Sequence, residues 1–71
     1  MTINYWQRCW EACQYAVSSD GEAQNIEDVV YGSLWQIPDH PEIINQVIEA
    51  CDYFGYKDIA LDILSKAGFI A

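Results

Sequence analysis

Positive charge is scarce in this chain. Three Lys+Arg stand against 11 Asp+Glu in 71 residues, a formal net charge of -8. So few cations cannot neutralise a run of phosphates, which argues against direct binding to nucleic acid or to an anionic membrane surface. Long apolar runs are missing as well, the longest reaching three residues, as in Val29 to Tyr31 and Ile59 to Leu61. Runs that short neither span a bilayer nor form the core of a signal peptide, so a cytoplasmic protein without membrane association is expected. Histidine occurs once, at His40, and arginine once, at Arg8. With no glycine-rich loop after a strand, there is no triad, phosphate cradle or nucleotide fingerprint to place. No catalytic residues and no cofactor are therefore expected.

Cysteine is present but odd in number. Cys9, Cys13 and Cys51 follow no secreted disulfide framework, so reduced thiols are expected. Cys9 and Cys13 are four apart, which on a helix stacks them on one face. A metal site would need further ligands, and His40 sits beside none of the three. Buried core thiols and no bound metal follow from this.

What the chain does contain is a helical period. The fold expected is all-α, a single acidic domain over 1–71 built as a compact bundle of four short helices, at about 3-18, 26-36, 41-54 and 57-67. Helix 1 carries Trp6, Cys9, Trp10, Cys13, Ala16 and Val17 on one face, and Ser18 to Gly21 then break it. Asn25 and Asp28 approximate a capping box for helix 2, whose inward residues are Ile26, Val29, Val30, Ser33, Leu34 and Ile37. Pro38 ends that helix, and Pro41 opens helix 3 with Asp39 or His40 as its cap. Helix 3 turns Ile44, Val47, Ile48, Cys51 and Phe54 inward, and Gly55 fits a left-handed cap. Helix 4 buries Ile59, Ala60, Ile63, Leu64 and Ala67, and closes with Lys66 and Gly68. A core this small buries only about 60% of its unfolded surface, so a partner or a second copy would help it.

Three local motifs carry partial resemblances. His40-Pro41-Glu42 is similar to the His-x-Glu element of zinc deaminases, but the Pro-Cys-x-x-Cys helix that those enzymes need is missing. Gly32-Ser33-Leu34, in a small acidic four-helix chain, resembles the acyl carrier proteins, which would imply a prosthetic group on Ser33. In that family Asp stands where Gly32 is, and the serine opens its helix. Residues 43 to 67 resemble one tetratricopeptide-type hairpin, through Gly55, Asp58, Ala60, Lys66 and Ala67. Residues 1 to 42 show no second copy, and about three repeats are needed to bury a solenoid core.

Charge and aromatics point further. From Asn25 onward eight carboxylates face two lysines, whereas three face one arginine before it, so the acids concentrate in helices 2 to 4. Glu42, Glu49 and Asp52 share a face of helix 3, and Asp58 and Asp62 lie one turn apart on helix 4. Three Trp, five Tyr and two Phe are many rings for so small a core. Tyr31 and Trp35, four apart and opposite the apolar stripe of helix 2, are the leading contact pair, with the bland alternative that helix 2 is buried on both sides. The partner-binding set is thus Tyr31, Trp35, Glu42, Glu49, Asp52, Asp58 and Asp62.

The function expected is a non-enzymatic protein-binding protein whose partner offers a basic surface. Its sharper form is an inhibitor that imitates a polyanion. Small acidic helical proteins of phages and mobile elements, among them anti-restriction and anti-CRISPR inhibitors and bacteriocin immunity proteins, are similar in size and charge. The alternative is a helical adaptor or self-associating module, such as a homodimer, whose acids serve solubility; an acyl-carrier-like protein is a further alternative.

Overall fold

The computed structural model describes residues 4–18 and 24–70. They form four helices, α1 (Tyr5–Ser18), α2 (Gln24–Ser33), α3 (Glu42–Tyr53) and α4 (Lys57–Lys66), with no strand among the described residues. The all-α bundle expected from the helical period is therefore present. The expected start at Ile3 and the breaker at Ser19 to Gly21 lie outside the described residues.

Local chemistry explains each helix end. Asn4 precedes α1, and its Oδ1 accepts the backbone N–H of Gln7 at 3.1 Å, filling one of the donors that a helix start leaves open. Helix α2 already includes Gln24, so Asn25 lies inside its first turn and does not cap it. The same helix stops at Ser33, three residues short of the expected end. The Ser33 hydroxyl donates to the Val30 carbonyl at 2.6 Å, while the Leu34 N–H bonds the Tyr31 carbonyl at 3.2 Å. The chain thereby tightens from i−4 to i−3 bonding, and a string of turns carries it through Asp39. Pro41 has helical dihedrals, φ −61° and ψ −18°, and no side chain caps α3; the His40 carbonyl accepts from the Ile43 N–H at 3.0 Å.

Helix α3 closes in a Schellman motif. Gly55 takes φ 84°, its N–H bonds the Asp52 carbonyl at 3.0 Å, and the Tyr56 N–H bonds the Cys51 carbonyl at 2.8 Å. Helix α4 repeats the device at Gly68, with φ 86° and a 3.0 Å bond from the Phe69 N–H to the Leu64 carbonyl.

Packing arranges the helices as two hairpins. Tyr5, Arg8 and Gly32 meet at one end of the α1–α2 pair and Tyr15 and Asn25 at the other, so these helices run antiparallel. Only Phe54 to Tyr56 separate α3 from α4, which pack on each other as a second antiparallel pair. Helix α1 lies against α3, with Tyr5 meeting Gln46 and Trp10 meeting Tyr53, so α1 and α3 run in the same direction. Helix α2 packs on α4 in turn. Like helices therefore sit side by side in a slab of 34 × 27 × 17 Å. Helices α3 and α4 form a short-linked hairpin over the residues with the tetratricopeptide-like spacing, and α1–α2 packs beside it without that spacing.

The core runs along the seam between the two layers. Cys9, Cys13, Ala16, Ile26, Val30, Ile43, Val47, Ala50, Cys51, Ala60 and Leu64 are buried there, with Ile37 and Ile63 close behind. Three expectations are corrected. Tyr5, which is not among the residues expected on the apolar face, is buried, while Trp6 is 37% and Val17 57% exposed. Tyr5 tolerates burial because its hydroxyl accepts from Gln36 Nε2 at 2.9 Å while its backbone N–H donates to Gln46 Oε1 at 3.0 Å. On α3 the fully buried isoleucine is Ile43, and Ile44 and Ile48 are half-buried, because α3 must face α1 and α4 at once. Ala67, expected inward on α4, is exposed beyond its last turn.

Candidate functional site

Every Asp and Glu among the described residues is exposed. Two of them meet a basic group: Asp62 Oδ2 lies 3.1 Å from Lys66 Nζ, and Glu42 Oε1 lies 3.4 Å from His40 Nδ1. These contacts are open to solvent and contribute little to stability. The negative charge therefore remains as a field around the slab, to which acids on different helices add where they converge.

They converge between α2 and α4. Tyr31, 53% exposed, lines an open groove with Glu27, Asp58, Ile59, Asp62 and Lys66. Three of the expected contact residues, Tyr31, Asp58 and Asp62, are thus brought together, joined by Glu27 from the first turn of α2. The reason is the packing of α2 on α4, which sets the turn carrying Glu27 and Tyr31 opposite the turn carrying Asp58 and Asp62. The remaining expected residues are not part of this groove. Glu42, Glu49 and Asp52 are exposed on α3, which is not an immediate packing neighbour of α2.

Trp35 is separated from Tyr31 for a different reason. Helix α2 ends before it, so the two rings do not form an i,i+4 helical pair, and Trp35 stands 87% exposed on the following turn. The alternative in which helix 2 is buried on both sides does not hold. Trp35→Ala is accordingly expected to shift the stability measured by urea unfolding by no more than about 0.5 kcal/mol. A loss of about 3 kcal/mol would instead mark a core ring.

A second surface lies on the α1–α3 side. Trp6 stacks on Trp10 at 4.6 Å between centroids, Trp10 meets Tyr53 at 4.4 Å, and Phe54 sets an edge against Trp10 at 4.6 Å. Tyr53 is 72% exposed. The sequence signals were Trp6 and Trp10 at i,i+4 and the Tyr53-Phe54 pair at the end of α3, but a one-face reading of α1 placed both tryptophans in the core. A third groove, between α1 and α2, sets Glu11 and Asp28 beside Arg8 and so gathers fewer acids than the α2–α4 groove, where three acids stand beside Lys66.

The residues that suggested chemistry are engaged otherwise. Ser33 is fully buried and bonded to the Val30 carbonyl, so it is closed to a prosthetic group. No group of three or more His, Cys, Asp or Glu among the described residues could hold a metal ion. Cys9, Cys13 and Cys51 are buried and free, as expected. Hydrogen bonding to Cys51, then burial, raises the Cys13 thiol far above its ordinary range. At Cys51 the bond with Cys13 acts downward, but bonding to Cys9 and burial outweigh it and push the thiol up to about 12.

Both thiols keep their protons in the fold and would lose them near pH 9 in the open chain. The two thiols should therefore leave stability unchanged below about pH 9 and lower it as pH rises toward 12. At neutral pH an aromatic disulfide reagent should leave the native thiols unmodified and react once urea opens the chain. Rapid modification of the folded protein would contradict their burial.

Among the described residues no helix is long and apolar enough to cross a membrane. Comparison with protein-family models, curated proteins and solved structures finds no match for the chain.

Proposed function

We propose that this chain is a non-enzymatic protein-binding module that docks a basic surface of a macromolecular partner through the groove between α2 and α4. The observation that carries the reading is the convergence of Glu27, Asp58 and Asp62 around the exposed ring of Tyr31. Carboxylates supply long-range attraction, and the ring supplies a contact of the kind enriched at interface centres. The sharper form is an inhibitor that occupies a nucleic-acid-binding site by imitating polyanion charge. Acids one helical turn apart, such as Asp58 and Asp62, lie about 5–6 Å apart at Cβ, a spacing comparable with that of phosphates along a strand. A cytoplasmic setting accords with the three free thiols.

The test is competition. Immobilised protein captures its partner from a lysate, and the bound partner is challenged with duplex DNA at constant ionic strength. Release by DNA, with the partner identified by mass spectrometry as a nucleic-acid-binding protein, is the expected result. A partner that DNA leaves in place contradicts the mimic. A self-associating module is the second reading, favoured by the exposed rings on α1 and α3. Sedimentation velocity over a range of concentrations separates the two.

A further inference from the structure

The rings on the α1–α3 side have no part in the groove, which lies across the slab between α2 and α4. We infer that they form a second docking element, a seat for an arginine side chain of the basic partner. The inference rests on the reading of the chain as a module for a basic protein and names the group that the partner inserts. Trp10 contacts both Trp6 and Tyr53, placing it between them and leaving outward ring surface on Trp6, 37% exposed, and Tyr53, 72% exposed. Aromatic faces carry the negative lobe of the ring quadrupole and attract cations. Glu49 is exposed one turn before Tyr53 on α3, which places its carboxylate within reach of a cation held on that ring.

Charge selects the occupant. A nucleobase could stack on the same rings, but its phosphates would meet Glu49 and a chain of net charge -8. A second copy would bring an equally acidic surface against this one. Of the two basic side chains, arginine fits better, because its planar guanidinium stacks on a ring and bonds a carboxylate in the same pose. The chain makes the ring half of such a contact internally, with the Arg8 guanidinium 5.2 Å from the centre of the Tyr5 ring.

The test titrates the labelled protein at low salt with a capped peptide of alternating glycine and arginine, following the indole N–H signals of the three tryptophans and the backbone amide signals by NMR. Trp6 and Trp10 should shift saturably while Trp35 stays in place. Tyr53→Leu and Glu49→Gln should each weaken binding about three- to fivefold, in line with an exposed cation–π contact. Glu49 is exposed, so its variant keeps the test valid should Tyr53→Leu fail to fold. Replacing arginine by the uncharged citrulline should remove the response. Equal binding of the citrulline peptide overturns the inference, and so does peptide-independent, concentration-dependent shifting of Trp6 and Trp10, which would seat a second copy. If arginine peptide shifts only Tyr31 and its neighbours on α4, the ring seat falls and the acidic groove stands. If it shifts nothing, both fall.

Discussion

Leu64→Ala is expected to destabilise the protein by about 2 to 5 kcal/mol. Leu64 is fully buried near the end of α4 and ranks with Ile26 and Ile43 among the largest side chains that solvent does not reach. Its removal costs the transfer of the lost methyl groups and also the contacts around the cavity left behind. A domain this small has little margin, commonly about 0.05 to 0.15 kcal/mol per residue, so the substitution takes much of it. Ile48→Ala, at a half-buried position on α3, should cost distinctly less, about 1 kcal/mol. Urea unfolding followed by far-ultraviolet circular dichroism measures both. Equal losses would mean that Ile48 is as enclosed as Leu64.

The second large effect concerns charge. Reversing Glu49, Asp52, Asp58 and Asp62 to Lys changes the formal net charge from -8 to zero and should weaken partner binding by about 100-fold or more. The fold should survive, since all four side chains are exposed and, among the described residues, only Asp62 has an ion-pair partner, in a solvent-open contact with Lys66. The structure also divides the effect. Asp58 and Asp62 line the groove with Tyr31, whereas Glu49 and Asp52 lie on α3 away from it. The pair Asp58→Lys and Asp62→Lys should therefore account for most of the loss. Calorimetric titration of the captured partner against the two double variants and the quadruple variant apportions it. Undiminished binding by the quadruple variant contradicts the acidic docking surface, whatever its effect on solubility.

Much of the fold could be read from local chemistry. Gly55 and Gly68 mark left-handed positions because a left-handed residue favours glycine, and both indeed end helices. Pro41 directly precedes α3, whereas Pro38, expected to end helix 2, lies among the turns five residues beyond Ser33. Cys9 and Cys13, at i,i+4, share the buried face as their spacing implied. What periodicity left open was the rotation of each helix. Tyr5 and Trp6 are adjacent, and either could lead the apolar face of α1; the choice falls to Tyr5 because Gln36 and Gln46, far along the chain, satisfy its polar groups. The end of α2 coincides with the Ser33 hydroxyl binding back to the Val30 carbonyl, a bond that the apolar period does not encode.

The candidate site was less legible than the fold. Asp58 and Asp62 could be paired from their spacing on one helix, but their approach to Glu27 and Tyr31 follows from α2 packing on α4, which no local pattern encodes. Trp35 was grouped with Tyr31 only by extending α2 beyond Ser33. The stack of Trp6, Trp10 and Tyr53 required α1 and α3 to run side by side in the same direction, a relation that the short connections alone do not determine.

The central claim is that charge in the α2–α4 groove directs docking to a basic partner. The most direct measurement is the association rate of the identified partner at increasing salt, from about 50 to about 500 mM, over which the screening length shrinks to a few ångströms. A fall of about tenfold or more, with a much flatter dependence in the Asp58→Lys, Asp62→Lys variant, is the result expected of electrostatic steering. An association rate that salt leaves unchanged, equal for wild type and variant, would contradict it.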